Sequence, residues 1–289
     1  EIPPYPKKGE ELQEYDDEAK KIWIRDDGLE LLYRIQARQI ERLNNNNINT
    51  VEELKNTNLE KIDGMGEATF IKYKKLAQLL HDSTENKILY EIKDPSLNGL
   101  LKPEKRDLYI DFEGYPFLTI GRNFEYLYGI WSNDEKNSFT YYWSDDEEEE
   151  KNSFVSFVEK LLEHLELYPD AKFYHYFSYE ISSLRKSAQI FGMYEKELEQ
   201  LIEKKCFVDL FTTVNSSLLI GASSYSLKTV EKLAGINRAE DLQSGMESIQ
   251  YFEDYFFNEE YELKDLIIEY NKADCKNLYL LHDWLASLL

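Results

Sequence analysis

The sequence predicts an α/β fold, a mixed sheet flanked by helices, preceded by a small all-α domain. Three observations carry this reading. Leu29, Leu32, Ile35 and Ile40 recur at helical spacing near the start. Short runs rich in Tyr, Ile and Phe follow at 107–114, 125–132 and 138–143 and read as strands. Beyond them come one helical pattern, a fourth strand candidate at 172–177, and a mostly helical remainder to Leu289. Residues 1–26 are expected to be an arm or linker, 27–82 a helical domain, 83–104 a connector and 105–289 the α/β domain.

In chain order, Pro3, Pro4 and Pro6 with mixed charges mark the arm. The run Asn44 to Asn47 breaks the first helical pattern, and Asn49-Thr50 supplies a cap for a short helix with Val51 and Leu54. Leu59 to Gly66 then leads into a longer helix from about Glu67 to Leu80. Pro95 and Pro103 place a connector next. The acidic run Asp145 to Glu150 reads as a solvated loop tip or helix start. Phe154, Phe157, Val158, Leu161, Leu162 and Leu165 define the helix that follows, and a late helix runs from about Tyr261 to Leu285.

With 289 residues, 22 Tyr and 15 Phe, the chain supports a sizeable core. No apolar run approaches the length of a membrane span, so no membrane partner is expected. Glu1 stands where a methionine would, which suggests a piece of a longer chain. Two distant cysteines, Cys206 and Cys275, fit a reducing cytoplasm and exclude a disulfide scaffold. A net charge of −22 opposes free-standing nucleic-acid binding, because phosphate neutralisation dominates such affinity.

Asp111-Phe112-Glu113-Gly114 places two carboxylates on one face of a strand, with Ile110 and Phe112 on the other. Adjacent acids repel unless a cation lies between them, and magnesium or manganese prefers such hard oxygen ligands. Tyr270 and Asp274, four residues apart, share one helix face. Glu180 falls in the first turn of a helix, where the helix dipole alone would also favour it. His175 reads equally as a packing residue or as a support for the site, and Lys228 equally as a solvated lysine or a phosphate contact. Leu54 to Leu79, with Gly64-Met65-Gly66 between two helices, resembles a helix-hairpin-helix module, whose glycines let backbone N–H groups approach phosphate. Glu67 departs from that pattern and repels phosphate, while Lys72, Lys74 and Lys75 lie further along.

Taken together, Asp-x-Glu on a first strand, an acid after a later strand and Tyr-x-x-x-Asp on a late helix resemble the DEDD 3′–5′ exonuclease superfamily. The resemblance is to the YprB-like ribonuclease-H-like domain of predicted RecB-family nucleases. It rests on Asp111 to Gly114, Glu125-Tyr126-Leu127-Tyr128-Gly129, Tyr174 to Glu180, Val208-Asp209-Leu210, Ser224 to Glu231, and Tyr270 to Cys275 with Trp284-Leu285. It implies a ribonuclease-H-like mixed sheet flanked by helices and a metal-dependent 3′–5′ exonuclease. Asp111, Glu113, Glu180 and Asp274 would hold two Mg2+ or Mn2+ ions, roughly 3.5–4 Å apart. Tyr270 would orient the attacking water, placing the chain in the tyrosine subgroup. Asp209, after Phe207-Val208 in a strand-like context, would support the site without holding metal. Gly64, Gly66, His175 and Lys228 are candidates for substrate contact. Expected partners are DNA or RNA 3′ ends, single-stranded DNA before RNA, and further domains of a longer chain such as a RecB-like nuclease or helicase. A DNA-repair setting in the cytoplasm goes with this. The alternatives are a catalytically silent binding or scaffolding module and a structure-selective endonuclease.

Overall fold

The structure is a computed structural model that describes residue 6 and residues 16–84, 87–119, 122–134, 138–236 and 245–289. Two compact units emerge: one from Glu1–Pro95 with Asn215–Gly235, the other from Ser96–Val214 with Ile236–Leu289. This division differs from a single boundary near residue 105, because residues 215–235 pack with the N-terminal helices. The negative charge is unevenly shared. The first unit holds 17 Lys/Arg against 21 Asp/Glu, and the second 17 against 35.

In the first unit, α1 (Asp16–Arg25) occupies part of the segment expected to be an arm. Its Ala19 is buried, and the Trp23 indole N–H donates to the Pro6 carbonyl at 2.7 Å. Leu29, Leu32, Ile35 and Ile40 are all buried, but over a 3-10 turn at Leu29–Leu31 and a separate helix α2 (Ala37–Asn44). A left-handed Arg34 (φ 56°) separates the two. Next come α3 (Val51–Asn56), capped by the Thr50 hydroxyl accepting from Glu53 N, and α4 (Glu67–Asp82). Gly64 takes the left-handed φ of 76° that the intervening turn requires, and Gly66 is the N-cap of α4. The expected connector contains a strand, β1 (Tyr90–Ile92), paired antiparallel with β7 (Leu218–Ile220). Helix α9 (Leu227–Leu233) follows β7. Where β7 passes α4, a side chain at Gly221 would collide with the Leu79 carbonyl, 2.3 Å from its Cβ position.

The second unit is built on a five-stranded sheet in the order β4-β3-β2-β5-β6. Its strands are β2 (Leu108–Thr119), β3 (Arg122–Ser132), β4 (Phe139–Trp143), β5 (Phe173–His175) and β6 (Phe207–Asp209). The first three pair antiparallel, and β5 and β6 run parallel to β2. The helices are α5 (Glu147–Leu167), α6 (Tyr179–Phe191), α7 (Glu195–Glu203), α8 (Leu210–Ser217, whose last three residues are counted with the first unit), α10 (Gly245–Phe257) and α11 (Leu263–Ser287). All four expected strands are present. The three-residue strand β6 falls on the strand-like Phe207-Val208, whereas β7 lies inside the stretch that reads as helical.

Alternation along β2 and β3, shifted by an irregularity between Glu113 and Gly114 that leaves Tyr126 without a partner on β2, divides the core. Ile110, Phe112, Tyr128 and Ile130 meet Phe154, Phe157 and Leu161 of α5 and Leu184 of α6 on one face. Tyr126 and Leu127 join Phe252 and Tyr255 of α10 and Ile267 and Ile268 of α11 in a second cluster. Burial of such side chains stabilises by roughly 1.5–3 kcal/mol each, so both faces hold the sheet. The acidic run begins α5: Asp146 is its N-cap, accepting from Glu149 N at 2.8 Å. Its last member is not solvated, because Glu150 is fully buried against Arg122 at 2.5 Å.

Candidate metal centre

Because Ile110 and Phe112 turn toward α5, Asp111 and Glu113 fall on the opposite face of β2. Helix α11 crosses that side and carries Asp274. One carboxylate oxygen from each of Asp111, Glu113 and Asp274 lies within 4.8 Å of the others. Glu113 and Asp274 are buried, and Asp111 is half-buried. The approach of α11 depends on Gly129, which pairs with Asp111 across the β2–β3 ladder. A Cβ there would stand 1.8 Å from Asn271 Oδ1 and 3.0 Å from Cys275 Sγ. Asn271 uses the space to donate from Nδ2 to both the Asp111 carbonyl (3.1 Å) and Asp111 Oδ2 (2.8 Å). One amide thereby fixes the acid on the strand to the helix that brings Asp274.

Burial, followed by the charge of Asp274, pushes the Glu113 carboxyl up to about 8; Ser248 of α10 opposes this by donating to Glu113 Oε2 at 3.0 Å. A second acid, Glu125, adds to the repulsion and is itself pushed up to about 7, chiefly by burial. Glu125 faces Gly114 across the ladder and accepts from the Tyr179 hydroxyl at 2.8 Å. A Cβ on Gly114 would lie 2.3 Å from that hydroxyl and 2.6 Å from Glu125 Oε2. The glycine after Asp-x-Glu thus admits a further carboxylate beside the cluster.

The other expected residues are distributed as follows. Tyr270 is buried on the same face of α11 as Asp274. Glu180 stands outside the group of three: it is buried at the start of α6, with its Oε2 3.3 Å from His175 Nδ1. Burial lowers the His175 pKa, but Glu180 and Asp209 outweigh it and leave it raised. Burial raises the Glu180 pKa, and His175 only partly offsets this. Asp209 pairs with His175 in the β5–β6 register. Its carboxylate accepts from Phe177 N and Phe211 N, both at 2.9 Å, and from the Thr212 hydroxyl at 2.7 Å. It fixes the turn that leads from β5 to Glu180. Gly64, Gly66 and Lys228 all belong to the first unit, where Lys228 lines a cavity of about 700 Å³. Two lysines of α4 are engaged in that unit, Lys74 with the Thr57 carbonyl and Lys75 with Glu91.

Asn271, Glu125, Ser248 and Gly129 carry no role in the sequence reading. For Asn271 a signal exists, since it shares the helix turn between Tyr270 and Asp274. Ser248 has none: nothing in one sequence aligns a serine 135 residues away with Glu113.

Oxygen donors alone, buried and repelling one another, suit a hard divalent cation, which needs carboxylates and relieves their repulsion. The residues fit such an ion. Among the described residues this is the one group of three or more acids, histidines and cysteines with metal-holding spacing. Neither curated proteins nor solved structures match the chain. Residues 108–286, more than half of it, match the family described as RNase_H superfamily, a span that contains all three acids of the cluster. With the five-stranded mixed sheet and its flanking helices, that match means the chain belongs to the ribonuclease H superfamily.

Proposed function

We propose that this protein is a metal-dependent 3′–5′ exonuclease that hydrolyses phosphodiester bonds, with single-stranded DNA preferred over RNA. The observation that carries the reading is the buried cluster of Asp111, Glu113 and Asp274 in a ribonuclease H superfamily domain. These three would hold magnesium or manganese, with Glu180 the fourth ligand of a two-ion centre. Bound there, the metal supplies positive charge to the scissile phosphate and a water of lowered pKa. Asn271 holds the Asp111 carboxylate in one orientation through its 2.8 Å bond. Tyr270, one helical turn before Asp274, orients the attacking water, and Ser248 keeps Glu113 in place. In the first unit, the Gly64–Gly66 turn at the start of α4 is offered as a contact for a DNA backbone. Further domains of a longer chain, a RecB-like nuclease or helicase, would be its partners in a cytoplasmic DNA-repair setting.

A second reading has an observation in its favour. Glu180 stands against His175 and outside the three-acid group, as it would in a binding module that has lost catalysis. One assay separates the two. End-labelled single-stranded DNA and RNA are incubated with manganese or with chelator. A ladder shortening from the 3′ end, absent with chelator and with Asp111→Ala, is expected. No cleavage with any divalent metal would leave the silent module standing. Cutting of a circular single strand would replace the exonuclease with an endonuclease.

A further inference from the structure

Phe177 stands between β5 and α6, three residues before Glu180, with a φ of 73°. Left-handed backbone is rare for a bulky side chain and is kept only where surroundings impose it. Here Asp209 imposes it, its carboxylate accepting from Phe177 N at 2.9 Å while also capping α8. The result is an aromatic ring presented to solvent. Phe177 is 42% exposed, yet its ring lies flat on the buried Phe211, with centroids 3.7 Å apart and planes 18° from parallel. Tyr176 packs edge-on against both rings. One ring face is therefore braced from below, and the ring is still half open.

Its position gives the platform a purpose. β5 runs parallel beside β2 with Tyr174 opposite Tyr109. Asp111 lies two residues beyond Tyr109, within β2, and Phe177 three beyond Tyr174, just past the carboxyl end of β5, so the two fall at neighbouring levels of adjacent strands. Ligands of open α/β sheets gather at this carboxyl side of parallel strands. The other aromatics near the acids are poorer platforms. Phe112 and Tyr115 are buried, and the Tyr179 hydroxyl is tied to Glu125 and Asn123.

We infer that Phe177, braced by Phe211 and held by Asp209, is a stacking platform for an unpaired nucleobase of the strand whose phosphate reaches the acid cluster. The inference rests on the nuclease reading for its substrate class. It adds a requirement for single-stranded character, because a base within a duplex has no free face to offer. Stacking tolerates any base, so the platform confers no sequence preference and accepts DNA and RNA alike.

The test measures binding apart from cleavage. Fluorescein-labelled oligothymidylate, oligouridylate and a DNA duplex are titrated with the protein in calcium, and fluorescence anisotropy is read. Phe177→Gly removes the ring and also relieves the left-handed backbone, so this variant should melt no lower than the wild type. It is expected to bind both single strands about tenfold more weakly, the effect of one lost base–aromatic stack. Phe177→Trp should retain wild-type affinity and show indole quenching by either oligonucleotide. Duplex binding should be the same in all three proteins. Equal single-strand affinity in Phe177→Gly and wild type, or no single-strand binding by the wild type, overturns the platform. Cleavage in manganese with unchanged binding in Phe177→Gly would retain the nuclease and remove only this inference.

Discussion

Glu150 and Glu113 are two buried acids of the same unit with opposite surroundings. Glu150 is fully buried and finds its cation within the chain, Arg122 at 2.5 Å, with the Glu125 backbone N–H donating at 2.9 Å. Glu113 is about as well buried, but the charged groups acting most strongly on it, Asp274 and Glu125, are further acids. Burying a carboxylate costs several kcal/mol unless a positive partner and hydrogen bonds offset it. At Glu150 the fold supplies both and locks the start of α5 to β3. At Glu113 it supplies hydroxyl and amide donors but acidic neighbours. That difference separates a structural acid from one arranged for a cation from outside.

The contrast breaks most visibly by removing the resident cation. Arg122→Met leaves Glu150 buried without its partner and should destabilise the protein by about 3–5 kcal/mol, read from urea unfolding. A loss below about 1 kcal/mol would mean that Glu150 is relieved by water, and that the two acids do not differ as argued. Metal should not rescue this variant's loss, because Glu150 lies outside the group of three acids.

The next effect concerns Glu113 and has the opposite sign. Its carboxyl is raised from 4.5 to about 8, so the folded state holds the proton more tightly than the unfolded chain does. The stability this confers is complete below pH 4.5 and is lost as pH rises through about 8. Metal-free wild type should therefore weaken across that window. Glu113→Gln, which carries no charge, should be more stable than wild type by roughly 3 kcal/mol near pH 8. Manganese should raise the melting temperature of the wild type and leave Glu113→Gln nearly unmoved. A parallel pH profile for both proteins would show that Glu113 is already relieved by a group of the chain, and the cluster would lose its claim on a cation.

The sequence made some of this legible and hid the rest for physical reasons. Alternation along β2 separates Ile110 and Phe112 from Asp111 and Glu113, so the acidic face is readable from period alone. Tyr270 and Asp274 are readable in the same way on α11. Hidden were the contacts that depend on register and crossing. Gly129 matters only because it pairs with Asp111 and meets Asn271, and Glu125 only because it pairs with Gly114. Arg122 and Glu150 are 28 residues apart, and nothing local links them. Without that pairing the run Asp145 to Glu150 reads as solvated. Glu180 was readable as an acid at a helix start, but its closeness to His175 follows from how the turn at Phe177 is held by Asp209. The short strand β7 escapes because three residues carry too little period to register.

Ser248 offers the finest test of the comparison, because its hydroxyl serves two groups. It donates to Glu113 Oε2 at 3.0 Å and lies 3.0 Å from the Tyr126 hydroxyl. A bond to Glu113 favours the ionised carboxylate, whereas a bond to Tyr126 is indifferent to it. Ser248→Ala should cost about 1 kcal/mol at acid pH, where Glu113 is protonated and only an ordinary hydrogen bond is lost. Above pH 8, in metal-free protein, the loss should grow toward the 1.5–3 kcal/mol typical, roughly, of a bond to a charged group. The measurement is urea unfolding of wild type and variant at pH 6 and pH 9. A loss equal at both values would assign the hydroxyl to Tyr126, and the stabilisation of ionised Glu113 would then fall to Asn271, the other side chain that bonds it.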